Sequence, residues 1–296
     1  MTGSSNDRPR IVAVGLQKGG VGKTTVTVNL AGALAGEGYR VAVVDFDMQR
    51  NATRHLLDPK DMEGATLAEV LRDEVEIGAC VALARCSDKI QVLRGPREEQ
   101  AVQWQDMFSR VPSKKRYRFL RQAKDMVLRT IPEDVDVVLI DSPPNLGLWL
   151  QLALAASDRL LIPTHPKKEA VEGLRSIMAK QAQVKRHVNP DLEVLGIVIN
   201  QLHPRKSMQG EFVRRIRKTY KDLVLDPPIY DRVAIEEGSP HHTPMEFYPG
   251  ARIGPRPAQD MYRELGRSFI ARLHGTNGVQ PSEGVGRASA GEPEER

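Results

Sequence analysis

Residues 18–25 read Lys-Gly-Gly-Val-Gly-Lys-Thr-Thr and stand between two apolar stretches of different kind. Upstream, Ile11-Val12-Ala13-Val14 is a mostly β-branched run that ends at Gly15, and downstream Val26 to Leu34 carries apolar residues at helical spacing. A strand, a glycine loop and a helix in that order make a phosphate-binding loop, and the flanking elements separate it from a chance match. Six residues lie between Gly15 and Gly22, so the common Gly-x-x-x-x-Gly-Lys-Ser/Thr spacing fits only if its first glycine slides. The compact form is Lys18 to Thr24. Glycines let backbone N–H groups approach phosphate oxygens, and the helix N-terminus adds a favourable field. Gly19, Gly20, Val21, Gly22, Lys23, Thr24 and Thr25 are therefore the candidate nucleotide-binding residues. Lys23 supplies a cation to the β/γ-phosphates, and the Thr24 hydroxyl suits Mg²⁺, which prefers oxygen ligands.

Lys18 is a second lysine, placed at the first turn of the loop, where it can point outward. With it, the segment resembles the deviant Walker A loop of the ParA/MinD family of ATPases. Two further segments carry the same resemblance in the same order. Val41-Ala42-Val43-Val44 leads into Asp45-Phe46-Asp47-Met48-Gln49-Arg50-Asn51, similar to the family's Asp-x-Asp-Pro-Gln-Gly-Asn motif. Val137-Val138-Leu139-Ile140 leads into Asp141-Ser142-Pro143-Pro144-Asn145, similar to its Walker B strand and switch. Continuous apolar runs point to strands buried on both faces of a parallel sheet, and acids just past strand ends lie where open α/β sheets bind ligands. An aspartate after a strand is commonly only a helix cap. Three such sites in register with a phosphate loop argue against that for Asp47 and Asp141, while Asp45 stays open between the two readings.

The resemblance spans residues 10–273. It implies ATP and Mg²⁺ as cofactors and an ATP-dependent sandwich homodimer. Lys18 is expected to reach the partner's γ-phosphate, Asp47 to orient the attacking water, and Asp141 to hold the Mg²⁺ shell with Thr24. Lys18, Lys23 and Asp47 form the catalytic set, and Asn200, after the apolar run near 194–199, joins the nucleotide-binding residues. A slow ATPase, stimulated by a ParB-type centromere-binding partner and binding double-stranded DNA non-specifically, is the implied activity. Two positions depart from the pattern. Met48 and Arg50 replace the usual Pro and Gly; neither replaces a carboxylate, so hydrolysis is expected to survive with altered switch geometry. Ile229-Tyr230-Asp231-Arg232 stands where the family often has Pro-Arg-Asn beside the adenine, so no base contact is assigned there.

The fold expected is α/β and P-loop NTPase-like, a mostly parallel twisted sheet with helices on both faces. Strands are expected near 11–15, 41–45, 90–93, 137–141, 159–163 and 194–199. Helices are expected near 23–36, 66–72, 116–129, 146–156, 168–187, 208–221 and 257–273. Residues 94–115, with Pro96 and Pro112 as breakers, read as an irregular insertion. The ATPase domain is placed at 11–273, between a flexible tail at 1–10 and a Gly/Ser/Pro/Glu-rich disordered tail at 274–296. No N-terminal helix-turn-helix is expected ahead of the first strand. No apolar stretch reaches the ~18 residues of a membrane span, so no stable membrane association is expected. The location expected is cytoplasmic and nucleoid-associated.

Lys and Arg number 43 against 38 Asp and Glu, a net charge of +5. The excess is modest, but its distribution is not even. In the helix near 208–221, at about 100° per residue, Phe212, Val213, Ile216 and Tyr220 share one face and Arg214, Arg217, Lys218 and Lys221 the other. Only Glu211 offsets them within the segment. With Arg205, these are the candidate DNA-phosphate contacts, and an ordinary solvated surface is the alternative. Lys114, Lys115, Arg116, Arg118 and Arg121 form a weaker cluster. No aromatic set interleaves either patch, which argues against single-strand recognition. Cys80 and Cys86 fit no metal spacing, and no cysteine follows Asp141, which excludes the iron–sulfur relatives. His241-His242 reads as a polar loop, and Trp104 and Trp149 as packing residues. Two other readings stand beside the partition ATPase: a MinD-like membrane switch, which needs a C-terminal amphipathic helix, and a nucleotide-gated DNA-binding protein that has lost hydrolysis.

Overall fold

The computed structural model describes residues 9–203, 207–231, 235, 243–249 and 257–275. Arg205, Arg232, His241, His242, the first eight residues and the tail from Thr276 lie outside them.

Seven strands form one sheet: β1 (Arg10–Val14), β2 (Val41–Asp45), β3 (Val81–Ala84), β4 (Ser87–Leu93), β5 (Val137–Asp141), β6 (Arg159–Thr164) and β7 (Glu193–Ile199). Their order is β3-β4-β2-β5-β1-β6-β7, parallel throughout except for the β3–β4 hairpin at one edge. The helices are α1 (Lys23–Gly36), α2 (Asn51–Leu56), α3 (Leu67–Val70), α4 (Glu98–Arg110), α5 (Arg116–Arg129), α6 (Leu148–Ala156), α7 (Ala170–His187), α8 (Ser207–Tyr220) and α9 (Ala258–His274). The apolar runs behave as continuous buried strands must. Ile11 and Ala13 enter the core beneath α4–α8, while Val12 and Val14 enter the opposite core beneath α1 and α9. Each strand thus serves two layers, which a polar/apolar alternation could not do.

The order places β1 between β5 and β6, with β5 separating it from β2. The chain leaves β1 towards one side and returns to the other, so the crevice at the ends of β1 and β5 is the topological switch point. Register fixes what meets there: Val14 pairs with Asp141, and Asp45 pairs with Asp141 from the other side.

Three elements differ from the sequence expectation. Residues 94–115 are not irregular: α4 fills most of the segment, with Pro96 and Pro112 bracketing it. Proline is tolerated at helix flanks and excluded only from interiors, so the two prolines mark ends. Ala101, Trp104 and Phe108, at helical spacing, form its buried face. Trp104 packs on Trp149 of α6 with ring centroids 6.0 Å apart, and the Trp149 indole N–H donates to the Ala101 carbonyl at 3.4 Å. The second difference is β3, a four-residue edge strand with Leu83 exposed, too short for its pattern to register. The third is α2, whose six residues are capped from outside the helix, as described below.

Truncating Trp104→Ala is expected to cost about 3–5 kcal/mol, the usual range for a buried aromatic. The check is the urea midpoint against the parent; a change under about 1 kcal/mol would mean α4 is not anchored through this ring.

Candidate nucleotide site

The phosphate loop joins β1 to α1. Gly20 (φ 72°) and Gly22 (φ 80°) both take the left-handed backbone that side chains rarely adopt. Gly22 has a second constraint, because a Cβ there would run into the Asn200 side chain. Asn200 is buried, and its Nδ2 donates to the Val21 carbonyl at 3.0 Å. Its backbone N–H donates to Thr164 at 2.7 Å, fixing it to the end of β6. The side chain expected to touch nucleotide therefore touches the loop backbone. Val21 is buried beneath the loop, while Gly19 and Gly20 are exposed and leave their amides accessible.

The two lysines occupy different surroundings. Lys23 is 7% exposed and its Nζ donates back to the Lys18 carbonyl at 2.9 Å, bridging the loop. Burial lowers its pKa, and Asp141 and Asp47 pull the other way. Lys18 turns outward, its ammonium 3.4 Å from Glu169 at the start of α7. Thr25 lies in the first turn of α1, where its carbonyl accepts from Asn29 at 2.8 Å.

Asp141 is fully buried at the end of β5. Its carboxylate accepts from Thr24 Oγ1 at 2.7 Å and from Thr27 Oγ1 at 3.3 Å, so two α1 hydroxyls hold it. Burial pushes its pKa up to about 8, and the neighbouring Asp45 adds to the rise. Next to it, Ser142 Oγ donates to the Val14 carbonyl at 2.7 Å, tying β5 to the base of the phosphate loop.

Asp45 resolves as a cap. Its Oδ2 accepts from the Thr53 N–H and hydroxyl, both at 2.9 Å, so the strand caps the N-terminus of α2. Its Oδ1 accepts the Asp47 N–H at 3.0 Å. Burial raises its pKa to about 6, against these hydrogen bonds. Asp47 Oδ1 accepts the Gln49 N–H at 3.0 Å, an Asx-turn, and its carbonyl accepts the Arg50 N–H at 2.8 Å. Arg50 then has φ 52° and ψ 37°. A non-glycine residue there costs about 1–2 kcal/mol, which explains why the related motif carries glycine.

Asp141 and Asp47 thus act on the one buried ammonium, with Asp45 beside both acids, a concentration of acidic groups that suits a divalent cation accompanied by phosphate. Thr24 and Asp141 are the groups that could hold it. Among the described residues no cluster of three or more His, Cys, Asp or Glu forms a cage by itself. Mg²⁺ takes one or two carboxylates and completes its shell with water and phosphate oxygens.

The second switch, residues 143–147, adjoins this centre. Asn145 Oδ1 accepts the Gly147 N–H at 2.9 Å, and Gln105 of α4 accepts the Leu148 N–H at 2.8 Å, capping α6. Thr27, Ser142, Thr53, Glu169 and Gln105 were not among the sequence candidates. Thr27 alone had a usable signal, lying one helical turn after Thr24.

The basic helix lies elsewhere. Ile216 is buried, and Phe212, Val213 and Tyr220 are half-buried on the core face, with Arg214 and Lys218 exposed opposite. Arg217 is engaged by Asp226, its two terminal nitrogens 3.2 and 2.6 Å from the carboxylate oxygens. Lys221 has left α8 for a 3₁₀ turn, at φ 46°. In the weaker cluster, Arg121 donates to the His187 carbonyl and Arg116 stacks over Phe108. Near 229–231, Asp231 is taken by His203 at 2.6 Å.

A glycine loop closing β1, a lysine folded into it and carboxylates at the ends of β2 and β5 define a P-loop nucleoside triphosphatase. Comparison narrows the class. A family model described as an AAA domain matches residues 9–194. The chain is 30% identical to the sporulation initiation inhibitor protein Soj of Bacillus subtilis, over 86% of this chain and 98% of that protein. It is also 30% identical to the chromosome partitioning protein ParA of Caulobacter vibrioides, over 89% and 94%. A structure of cobyrinic acid a,c-diamide synthase from Mycobacterium smegmatis with bound ADP and magnesium superposes with a TM-score of 0.71 at 25% identity, covering 92% of this chain and 98% of that one. The chain belongs to the ParA/MinD family of ATPases.

The raised pKa of Asp141 has a testable sign. The carboxyl is a stronger proton binder folded than unfolded, so its contribution to stability falls as pH rises from about 4, the unfolded value, through about 8. Without nucleotide, Asp141→Asn is expected to raise the melting temperature relative to the parent, more at pH 8.5 than at pH 5. The scale is about 2–4 °C per kcal/mol. A difference independent of pH would show that Asp141 carries no buried charge.

Proposed function

We propose that this chain is a ParA-like partition ATPase. It binds ATP with Mg²⁺, closes into a homodimer around the nucleotides, and binds double-stranded DNA without sequence preference in that state. Hydrolysis, stimulated by a ParB-type partner, releases it. The observation that carries this reading is the division between the two loop lysines. Lys23 is committed to its own loop, while Lys18 points out of it and is held only by an exposed carboxylate. The relative described as a chromosome partitioning protein points the same way.

Lys23 and the loop amides would receive the phosphates, and the ligand's negative charge would offset the desolvation that lowers the lysine's pKa. Mg²⁺, held by Thr24 and Asp141, supplies charge neutralisation at the phosphates when bound. Asp47 would orient the attacking water, and phosphoryl transfer asks for little more than such positioning. With a single carboxylate on a turn performing that task, basal turnover is slow and leaves room for a partner to accelerate it.

The test is light scattering with ATP alongside phosphate release. Lys18→Ala is expected to bind ATP nearly as the parent does but remain monomeric. Asp47→Ala is expected to form the ATP dimer and lose turnover by 100-fold or more, of the order expected for loss of a positioned general base. A full dimer from Lys18→Ala, or parental turnover from Asp47→Ala, would overturn the assigned roles.

For DNA, the exposed pair on α8 gives the cleaner test, because Arg217 is already engaged by Asp226. Changing Arg214 and Lys218 together to Ala is expected to weaken duplex binding and lower the salt slope by about 0.9 per lost phosphate contact, roughly 2 per protomer. ATPase activity without DNA is expected to be unchanged. Equal slopes in parent and variant would move the DNA surface away from α8.

A further inference from the structure

We propose that Arg50 is a positioning residue for the ATPase reaction: its left-handed backbone, tethered through its guanidinium to the Met62 carbonyl, sets the direction of the Asp47 carboxylate. The inference rests on the ATPase reading above.

Four observations carry it. Arg50 closes the Asp47 turn, its N–H donating to the Asp47 carbonyl at 2.8 Å, so its backbone angles fix how that turn leaves β2. Those angles are left-handed, where glycine is the unstrained occupant. The side chain crosses twelve positions to donate from Nη2 to Met62 O at 2.7 Å. The segment it reaches is itself held fast: Arg94 Nε donates to Asp61 O at 2.6 Å, and Arg97 Nη2 to Gly64 O at 3.0 Å. Three guanidinium groups, from the ends of β2 and β4, thus grip the carbonyls of Asp61, Met62 and Gly64. A backbone conformation that arginine disfavours is held by an anchor that is rigid at its far end.

Two consequences follow. Alanine at position 50 keeps the unfavourable backbone and loses the anchor, so the turn relaxes and Asp47 swings away. Glycine loses the anchor too, but adopts the left-handed turn without strain, so it restores the geometry by another route. Arg50 touches neither nucleotide nor water in this account, and nucleotide affinity should be indifferent to both changes.

The experiment is steady-state phosphate release by the full chain, with fluorescent-nucleotide titration and melting temperatures for each variant. Arg50→Ala is expected to lower kcat about tenfold or more, the scale of a modest misplacement of a reacting group, with KM for ATP within about twofold. Arg50→Gly is expected to recover kcat to within about threefold of the parent. A kcat for Arg50→Ala equal to the parent's would overturn the inference and leave the ATPase reading intact. So would Arg50→Gly as slow as the alanine variant, since the guanidinium rather than the turn would then be required. Should the alanine variant not fold, the glycine variant decides alone by the same threefold limit. A parent with no turnover under any condition would instead overturn the ATPase reading, and this role with it.

Discussion

Asp45 and Asp141 face each other across the β2–β5 register, both fully buried. Two carboxyl groups so placed repel, and burial penalises the charge on each. The structure divides the burden by giving them different partners. Asp45 accepts three hydrogen bonds, two of them from Thr53 of α2, so its acceptors are spent on holding the first switch, the turn at residues 46–50. Asp141 accepts only two hydroxyls from α1, and of the two its pKa is displaced further upward. It is the group with unmet demand for positive charge, and it stands at the phosphate loop. A cation bound there would relieve the cost of burying this carboxylate, so binding and site stability are coupled.

The same crevice is linked to more distant elements by short chains of contacts. Gln105 caps α6 directly after the second switch, and Trp104 and Trp149 pack α4 against α6. An apolar cavity of 440 Å³ opens between α4 and both switches, lined by Phe46, Met48, Val102, Pro143 and Trp149. The insertion is thus the wall against which both switches rest.

Much of this was legible in the sequence where one signal carried one consequence. The four apolar runs ending in Gly15, Asp45, Asp141 and Asn200 gave the parallel strands, because a strand buried on both faces has no other reading. Elements whose stability comes from tertiary contacts were not legible. α2 is six residues capped by an aspartate of the preceding strand, eight positions before Thr53. α4 is hidden in the sequence because prolines at the two limits of a helix have the same signature as prolines within a loop. The basic stripe on α8 was read from its own segment, so the engagement of Arg217 by Asp226, beyond the helix end, could not enter the count. Asn200 reads from the sequence as a nucleotide-binding residue, and only the packing shows that its amide braces Val21. Arg50 was visible as a departure from glycine, while its compensating anchor, twelve residues on, was not.

The two lysines of the loop show how cost sorts function. Freeing Lys23 from its place would break the bond that bridges the loop, so it stays within that loop. Lys18 is one-third exposed and its contact with Glu169 is 3.4 Å long between partly solvated groups. Exposed pairs of that kind contribute about 0–1 kcal/mol, and salt screens them further. A triphosphate presents far more charge than one surface carboxylate, and in a closed, drier interface each charge interacts more strongly. In the proposed dimer, exchanging Glu169 for a partner's phosphate would therefore be favourable. On that proposal, the weakness of the Lys18–Glu169 contact is what would leave the lysine available to the assembled state.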